Sequence, residues 1–369
     1  MKIKYPLKFK AAILQKNNKP LLINEVIFEG PLQAGQVLTK IYYSGICGKQ
    51  IEEIQGTRPD PFFPHMLGHE GSGVVVDIGQ GVKKVLPGDK VVLHWTKGRG
   101  INSDTPIYNK NGQKINAGCI TTFNEYGIIS ENRLTPLSKN SDLEVACLLG
   151  CCVTSGVGVV FNEANPLPEE SIAVFGCGGV GLNSIQAARI KYCNPIIAVD
   201  KNKENLTLAK KLGATHIINI ESEDTIKKIR EITNPHKGKI IIDAKNMNLK
   251  EPGADYVICA VSNPEVIEIA IESCSIPGKV YLVGVPPYSS KISMNAFDIH
   301  AGRTIQGSHG GDCIPERDIP KYMRLYEKGF LKFKELISNE VSLEHVNEGI
   351  ELLKKGILGR CIISMNHTK

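Results

Sequence analysis

A glycine-rich turn between a predicted strand and a predicted helix constrains the fold of this chain more than any other feature. A short apolar run at 171–175 predicts a buried strand, and a helix is predicted to end near Tyr192. Between them lie Gly176, Cys177, Gly178, Gly179, Val180 and Gly181. In such a turn the first glycine permits the bend, the second lets backbone approach a pyrophosphate, and the last allows close packing of helix on strand. The sequence therefore predicts a dinucleotide-binding turn.

An acidic residue follows at the position where such a turn usually has one. Asp200 ends the next predicted strand, at 195–200, about 20 residues beyond the last glycine. A carboxylate there accepts hydrogen bonds from an adenosine ribose and repels a 2′-phosphate, which favours NAD over NADP. Lys201 and Lys203 lie beside it and weaken that preference. A glycine-rich turn that binds no ligand is the alternative, and the strand, helix and acid together disfavour it.

Strands and helices alternate through the region that contains the turn. Further strands are predicted at 216–220, 255–261 and 280–285, and further helices at 203–212, 225–232 and 265–274. This alternation is typical of a doubly wound parallel sheet, so we expect an α/β fold. The segment 234–253 contains an apolar run at 240–242 that is either an extra strand or a buried loop.

The part of the chain before about Cys152 has a different pattern. Strands are predicted at 37–46, 73–78 and 90–94, separated by turns rich in glycine and proline. Many short strands of this kind predict a β-rich, barrel-like domain. The polar segment 96–122 is expected to be a surface excursion, and amphipathic helices are predicted at 319–326 and 343–355.

Composition excludes several classes of protein. A chain of 369 residues at roughly 150 per domain indicates two domains, and 42% hydrophobic with 22% charged residues excludes a disordered or fibrous chain. The net charge of +6 forms no basic stripe, and aromatics are only 6%, so we expect no nucleic-acid partner. No apolar run is long enough for a membrane span, and residues 1–20 contain none long enough for a signal peptide. The 11 cysteines then suit a reduced, cytoplasmic protein.

Three glycine-flanked motifs contain possible metal ligands. They are Gly45-Ile46-Cys47-Gly48, Leu67-Gly68-His69-Glu70-Gly71 and Leu149-Gly150-Cys151-Cys152. No local zinc-finger spacing links them, and a single buried cysteine or histidine is usually structural.

Together with Pro87-Gly88-Asp89, the glycine turn and the run at 283–287, these motifs resemble the medium-chain dehydrogenase/reductase family of the zinc alcohol dehydrogenase type. The resemblance covers essentially the whole chain. It implies a GroES-like catalytic domain of residues 1–152 and 309–369 and a Rossmann NAD-binding domain of residues 153–308.

The resemblance also implies roles for individual residues. Cys47, His69 and Cys151 become the ligands of a catalytic zinc, with Glu70 behind them and Cys152 as a bystander. Trp95 either lines the substrate pocket or is an ordinary core aromatic. The remaining residues implied to contact NAD are Ser155, Val180, Val283 and Arg360.

The implied reaction is transfer of a hydride between an alcohol, or its aldehyde or ketone, and NAD. Zinc with three protein ligands keeps a position for substrate and lowers the pKa of a hydroxyl group. The alternatives are a polyol or sugar dehydrogenase of the same family, a zinc-free NADPH quinone or enoyl reductase, and a non-catalytic dinucleotide-binding protein. A homodimer or homotetramer is expected.

Two departures from the family pattern stand out. Relatives often carry four cysteines for a structural zinc after the pocket aromatic, whereas this chain has only Cys119 there, which predicts one zinc per chain. Lys49 and Gln50 stand where the family usually has a hydroxyl residue and an aspartate. A desolvated lysine beside a cation has a lowered pKa, so Lys49 could relay the alcohol proton. It could equally bind an anionic substrate group, or point away while water relays the proton.

Overall fold

The computed structural model describes residues 3–56, 62–233, 241–243, 248–356 and 359–365. The chain divides into two compact units. The first comprises residues 1–152, 314–326 and 333–369, and the second comprises residues 153–313 and 327–332. Residues 234–240 and 244–247, which belong to the segment that could not be placed from the sequence, lie outside the described residues.

The elements follow in chain order. The strands are β1 (Leu7–Leu14), β2 (Leu22–Phe28), β3 (Gln36–Gly45), β4 (His65–Met66), β5 (Glu70–Ile78), β6 (Lys90–His94), β7 (Ile107–Lys110), β8 (Gln113–Asn116), β9 (Tyr126–Ser130), β10 (Leu134–Pro136), β11 (Ile172–Phe175), β12 (Ile196–Asp200), β13 (His216–Asn219), β14 (Ile241–Asp243), β15 (Asn248–Lys250), β16 (Ala254–Cys259), β17 (Cys274–Leu282), β18 (Thr304–Gly307), β19 (Ile337–Ser342) and β20 (Arg360–Ser364). The helices are α1 (Gly48–Gln55), α2 (Leu143–Ala146), α3 (Cys152–Gly158), α4 (Gly179–Ile190), α5 (Lys203–Leu212), α6 (Thr225–Thr233), α7 (Pro264–Glu272), α8 (Ala296–His300), α9 (Pro315–Glu327) and α10 (Val346–Lys354).

The first unit is built from β-sheet. Strands β1, β2, β7, β8 and β4 close a small barrel, and a second sheet runs in the order β10, β6, β5, β3, β20 and β19, with β9 paired to β3. An apolar core that includes Val37, Ile41, Leu93 and Ile363 fills the space beside the second sheet. The predicted β-rich, barrel-like domain is thereby confirmed. The strand β20 brings the end of the chain to β3, whose carboxyl end leads into one of the candidate ligand motifs.

The prediction of a surface excursion at 96–122 is wrong for part of that segment. Strands β7 and β8 form a hairpin and belong to the closed barrel. Tyr108 and Ile115 are fully buried and pair across the hairpin, whereas the other side chains of these strands are polar or exposed. One buried side chain in each four-residue strand is enough to place it on the barrel core, but it is too weak a signal to be recognised in a polar sequence.

The second unit contains the predicted parallel sheet. Its order is β13, β12, β11, β16, β17 and β18, and every pair is parallel. Numbered by order along the chain within this sheet, the order is 3-2-1-4-5-6, which defines a Rossmann fold. Strand order reverses between β11 and β16, and ligands of such sheets bind at the carboxyl ends of the strands at that point. The described parts of 234–253 add the small antiparallel hairpin of β14 and β15.

Some predicted boundaries in this unit need correction. The strand predicted at 280–285 begins six residues earlier, because β17 already pairs with β16 at Cys274. The register shifts before Lys279, and Pro277 and Gly278 lie in this irregular part, so their turn-like composition hides the strand's first half. The helix predicted at 265–274 accordingly ends at Glu272. Among the described residues, no single helix is both long and apolar enough to cross a membrane.

Candidate active site

Three side chains from distant parts of the first unit converge. Cys47 caps α1 immediately after β3, His69 precedes β5, and Cys151 follows the 3-10 turn Cys147–Gly150. Their ligand atoms, two sulfurs and a ring nitrogen, all lie within 4.8 Å of one another. Thiolate sulfur and imidazole nitrogen are preferred ligands of zinc, so these residues could hold a metal ion.

The electrostatics of Cys47 suit a metal ligand, whereas its hydrogen bond with Cys151 raises the pKa of the Cys151 thiol. A hydrogen bond with Cys151 is the largest influence that lowers the pKa of Cys47, burial opposes it, and the net pKa lies well below the ordinary value. The positive charge of Arg360 and the contact with His69 act in the same direction as the hydrogen bond. Because a metal binds cysteine as thiolate, a lowered pKa prepares Cys47 to act as a ligand.

Gln50 joins two of the candidate ligands. It is fully buried in the first turn of α1, where its Oε1 accepts a hydrogen bond of 2.9 Å from the Cys47 backbone N–H. Its Nε2 lies 2.6 Å from Nδ1 of His69. In the sequence Gln50 stands out only as a departure from the family pattern. The spacing of Cys47 and Gln50 is that of a capping box, which was the available signal for the first of these contacts.

Glu70 and Arg360 form a buried ion pair behind the trio. Glu70 lies at the start of β5 and Arg360 at the start of β20, and Nη2 of the arginine is 3.3 Å from Oε1 of the glutamate. Glu70 also accepts a hydrogen bond of 3.3 Å from the backbone N–H of Cys152, and Arg360 donates one of 3.1 Å to the Ile46 carbonyl. Burial raises the pKa of Glu70, although the charge of Arg360 acts against it.

Lys49 and Trp95 are the two other residues predicted to take part in catalysis. Lys49 follows Cys47 by two positions, and Trp95 follows His94, which pairs with Glu70 across the sheet. Lys49 is in the first turn of α1, and its Nζ lies 3.2 Å from Oε2 of Glu52. Trp95 follows β6 and is half-buried, and its carbonyl accepts a hydrogen bond from Arg133. The proton relay by Lys49 and the pocket wall at Trp95 stay predictions.

Glu53, in α1, belongs to no motif of the sequence but lies close to the trio in charge interactions. Burial raises its pKa, while the positive charges of His69, Lys49 and His65 act in the opposite direction. A carboxyl group with a raised pKa beside candidate metal ligands has the properties of a proton-transfer group. Its helical spacing of four residues from Lys49 was the only signal in the sequence.

The glycine turn of the second unit has the predicted geometry. Gly176 follows β11 with φ of +87°, a conformation that favours glycine. A Cβ at Gly181 would overlap the Gly176 carbonyl oxygen, so a larger residue would separate α4 from the strand. At Gly178, in contrast, no atom of the described residues beyond its neighbours in the chain lies within 4 Å of such a Cβ, which leaves the backbone open to a ligand at the helix N-terminus.

Asp200 is tied to this turn. At the end of β12, its Oδ2 accepts a hydrogen bond of 2.6 Å from the Cys177 N–H, and its Oδ1 accepts one of 2.8 Å from the Asn202 N–H. The side chain stays partly exposed. The carboxylate therefore lies directly beside the glycine-rich loop, where the sequence predicted a ribose-binding acid.

Three of the other residues predicted to contact the dinucleotide lie in the second unit, whereas the fourth, Arg360, belongs to the first unit. Ser155 is in α3 and Val180 is in α4. A Cβ on Gly156, the residue after Ser155, would overlap the Val180 carbonyl oxygen, so the two helices are closely packed. Val283 follows β17, and its N–H donates a hydrogen bond of 2.9 Å to the Cys259 carbonyl. This places it at the carboxyl end of the sheet.

Comparison with known proteins gives two domain matches and a full-length relative. Residues 33–139 match the alcohol dehydrogenase GroES-like domain, and residues 179–328 match the zinc-binding dehydrogenase domain. S-(hydroxymethyl)glutathione dehydrogenase of Escherichia coli is 31% identical over 384 aligned positions, which cover 97% of this chain and 100% of that protein.

Solved structures show the same fold. The alcohol dehydrogenase zinc-binding domain protein of Burkholderia ambifaria is 28% identical with a TM-score of 0.87, covering 98% of this chain and 100% of that one. Benzyl alcohol dehydrogenase of Acinetobacter calcoaceticus is 26% identical with a TM-score of 0.85, covering 97% and 99%.

The fold and the domain matches show that this chain is a medium-chain dehydrogenase/reductase, an oxidoreductase with a GroES-like domain and a Rossmann domain. Within that class, the chain belongs to the zinc-binding alcohol dehydrogenase family. The resemblance inferred from the sequence motifs is confirmed.

Proposed function

We propose that this protein is a zinc-dependent alcohol dehydrogenase that transfers a hydride between a small alcohol, or its carbonyl product, and NAD. The convergence of Cys47, His69 and Cys151 within 4.8 Å is the observation that carries the proposal. Residues 1–152 and 309–369 form the catalytic part, and residues 153–308 bind NAD. Zinc occupies one site per chain, with no structural zinc.

The residues of the first unit have distinct tasks in this proposal. Two thiolates and a neutral imidazole hold zinc, which supplies a Lewis acid that makes a substrate hydroxyl more acidic. Glu70 holds Arg360 behind the ligands, and Trp95 forms a wall of the substrate pocket. Lys49, with Glu52 as its ion-pair partner, either relays the alcohol's proton when neutral or binds an anionic group of the substrate as the ammonium.

The residues of the second unit bind and orient NAD. The open backbone at Gly178 and the N-terminus of α4 receive the pyrophosphate. Asp200 accepts hydrogen bonds from the adenosine ribose and disfavours a 2′-phosphate, which supports NAD over NADP. Ser155, Val180 and Val283 contact the nicotinamide end. Arg360, a residue of the first unit, contributes positive charge for the pyrophosphate.

The substrate is proposed to be a primary alcohol. The names of two relatives, S-(hydroxymethyl)glutathione dehydrogenase and benzyl alcohol dehydrogenase, both describe substrates with a CH₂OH group. The test is NADH formation by zinc-loaded protein across primary alcohols, polyols and sugars. A polyol or sugar as best substrate would replace this assignment, and turnover of quinones with NADPH in zinc-free protein would overturn it.

The proposal also covers the oligomeric state of the protein in solution. We expect a cytoplasmic homodimer or homotetramer that acts on small molecules. Size-exclusion chromatography with light scattering measures the assembly directly, and a monomeric mass would contradict it.

A further inference from the structure

Gln50 is a side chain that contacts two of the candidate zinc ligands. Its single acceptor atom, Oε1, takes the backbone N–H of Cys47, and its donor atom, Nε2, faces Nδ1 of His69 at 2.6 Å. The backbone N–H of Cys47 is a donor in every state of the protein. The orientation of the Gln50 amide is therefore determined by Cys47 and not by His69.

The arrangement conflicts with metal binding by His69. Because Gln50 occupies the space at Nδ1, the ring nitrogen left for a metal is Nε2. A histidine that binds a metal through Nε2 carries its proton on Nδ1, which is then a donor. Two donors, the Nδ1–H of His69 and the N–H of Cys47, then face one acceptor oxygen. A carboxylate at position 50 has an oxygen for each donor.

We propose that Gln50 is a positioning residue that weakens the hold of this site on zinc relative to a carboxylate. The inference rests on the proposed function, since it assumes that Cys47, His69 and Cys151 bind the ion. One buried N–H without an acceptor, and a histidine without a carboxylate partner, each weaken metal binding. Partners of this kind change metal affinity by about 10- to 100-fold.

Zinc affinity, measured by competition with a chromophoric chelator, tests the inference without relying on activity. Gln50→Glu keeps the length of the side chain and supplies two acceptors, so it should bind zinc about 10- to 100-fold more tightly than wild type. Gln50→Met keeps the volume and supplies none, so it should bind more weakly than wild type. Gln55→Glu makes the same substitution at the exposed end of α1 and should leave the affinity unchanged.

The outcomes separate the inference from the proposed function. Equal zinc affinity in wild type, Gln50→Glu and Gln50→Met, or weaker binding in Gln50→Glu, overturns the role of Gln50 and leaves the metal site intact. Wild type that binds no zinc overturns the metal site itself, and the inference with it.

A second measurement does not depend on the folding of the glutamate variant. In zinc-loaded wild type, either the Cys47 amide should exchange faster than in the zinc-free protein, or the Nδ1–H of His69 should give no hydrogen-bonded signal in NMR spectra. Protected signals from both groups in the loaded wild type would show that both donors are satisfied and would overturn the proposal. If Gln50→Glu does not fold, Gln50→Asp provides the carboxylate comparison.

Discussion

Arg360 pairs with Glu70 in the interior of the first unit, with Nη2 of the arginine 3.3 Å from Oε1 of the glutamate. Both side chains are almost inaccessible, at 5% and 0% exposure. The pair joins the last strand of the chain to the strand that follows His69. Arg360, which the sequence predicts to contact the cofactor, is thus also an ion-pair partner of the residue next to His69.

Arg360→Met should destabilise the protein by about 3–5 kcal/mol, because it leaves the buried carboxylate of Glu70 without a positive charge to balance it. Urea denaturation measures this loss. Adding Glu70→Gln to that variant removes the unpaired charge and should recover part of the stability. Strictly additive losses in the double variant would show that the two side chains do not stabilise each other.

Purified protein should contain about one equivalent of zinc per chain, measured by elemental analysis after expression with zinc. Cys151→Ser should lose the metal because it removes a ligand. Cys152→Ser is the matched control, since Cys152 is also buried and donates its backbone N–H to Glu70 but is not part of the trio. Two equivalents in wild type, or retention of zinc by Cys151→Ser, would contradict the assignment.

Asp200→Ser should weaken binding of NAD and narrow the gap between NAD and NADP, as measured by titration of the two reduced cofactors. The substitution removes the carboxylate that accepts ribose hydrogen bonds, and also its 2.6 Å bond from the Cys177 N–H. Asp200→Asn keeps the shape and separates these effects. Tighter binding of NADPH than of NADH by wild type would show that Lys201 and Lys203 determine the preference instead.

Lys49→Ala should lower the turnover number by roughly 10²-fold or more if Lys49 is the main proton relay. Lys49→Ser should recover part of that loss, because a hydroxyl group is the family's usual relay. Glu52→Gln removes the partner of Lys49 at 3.2 Å and should shift the pH profile while keeping the relay group.

Kinetics of these variants across pH also distinguish the alternatives for Lys49. A raised KM with unchanged kcat would assign it to an anionic group of the substrate instead. An unchanged rate, KM and pH profile in both Lys49 variants would mean that the side chain has no part in the reaction.

The carboxylate of Glu131 binds the backbone on both sides of Trp95, so the stability of the protein should depend on the charge of Glu131 and therefore on pH. Glu131 accepts backbone hydrogen bonds from Lys83, Lys84 and Ile101 at 2.7–2.8 Å. Burial alone would raise the pKa of Glu131, but these hydrogen bonds outweigh it and the net pKa lies below the ordinary value. The stability from this charge is therefore present above the ordinary pKa and is lost as pH falls through the lower, folded-state value.

Glu131→Gln should accordingly cost about 1–3 kcal/mol at neutral pH, because one carboxylate acceptor is replaced by an amide donor. The difference from wild type in thermal unfolding should shrink in acid. The exposed Glu29 provides the control substitution Glu29→Gln, which should have little effect. A difference that stays constant across pH would show that the charge of Glu131 is unimportant.

The fold of the second unit could be predicted largely from local patterns. The helix predicted at 203–212 matches α5 residue for residue, because its apolar spacing and the Gly213 that follows are local signals. Strand β12 and the glycine turn were found for the same reason. Strands β7 and β8 were missed because only one side chain in each faces the core, and the start of β17 was hidden by Pro277 and Gly278.

The site could be predicted only in part. No local pattern joins Cys47, His69 and Cys151, so their grouping rested on the resemblance to a family. The contact between Gln50 and His69 spans 19 positions and depends on how α1 meets the start of β5. The pair of Lys49 and Glu52, in contrast, is one helical turn apart and follows from helical spacing.

The most direct test of the proposed function is NADH formation by zinc-loaded protein with benzyl alcohol, S-(hydroxymethyl)glutathione and a panel of other primary alcohols. We predict turnover with at least one of them, its loss in Cys151→Ser, and its retention in Cys152→Ser. Undiminished turnover in Cys151→Ser, or no NADH from any alcohol with the zinc-loaded wild type, would contradict the proposal.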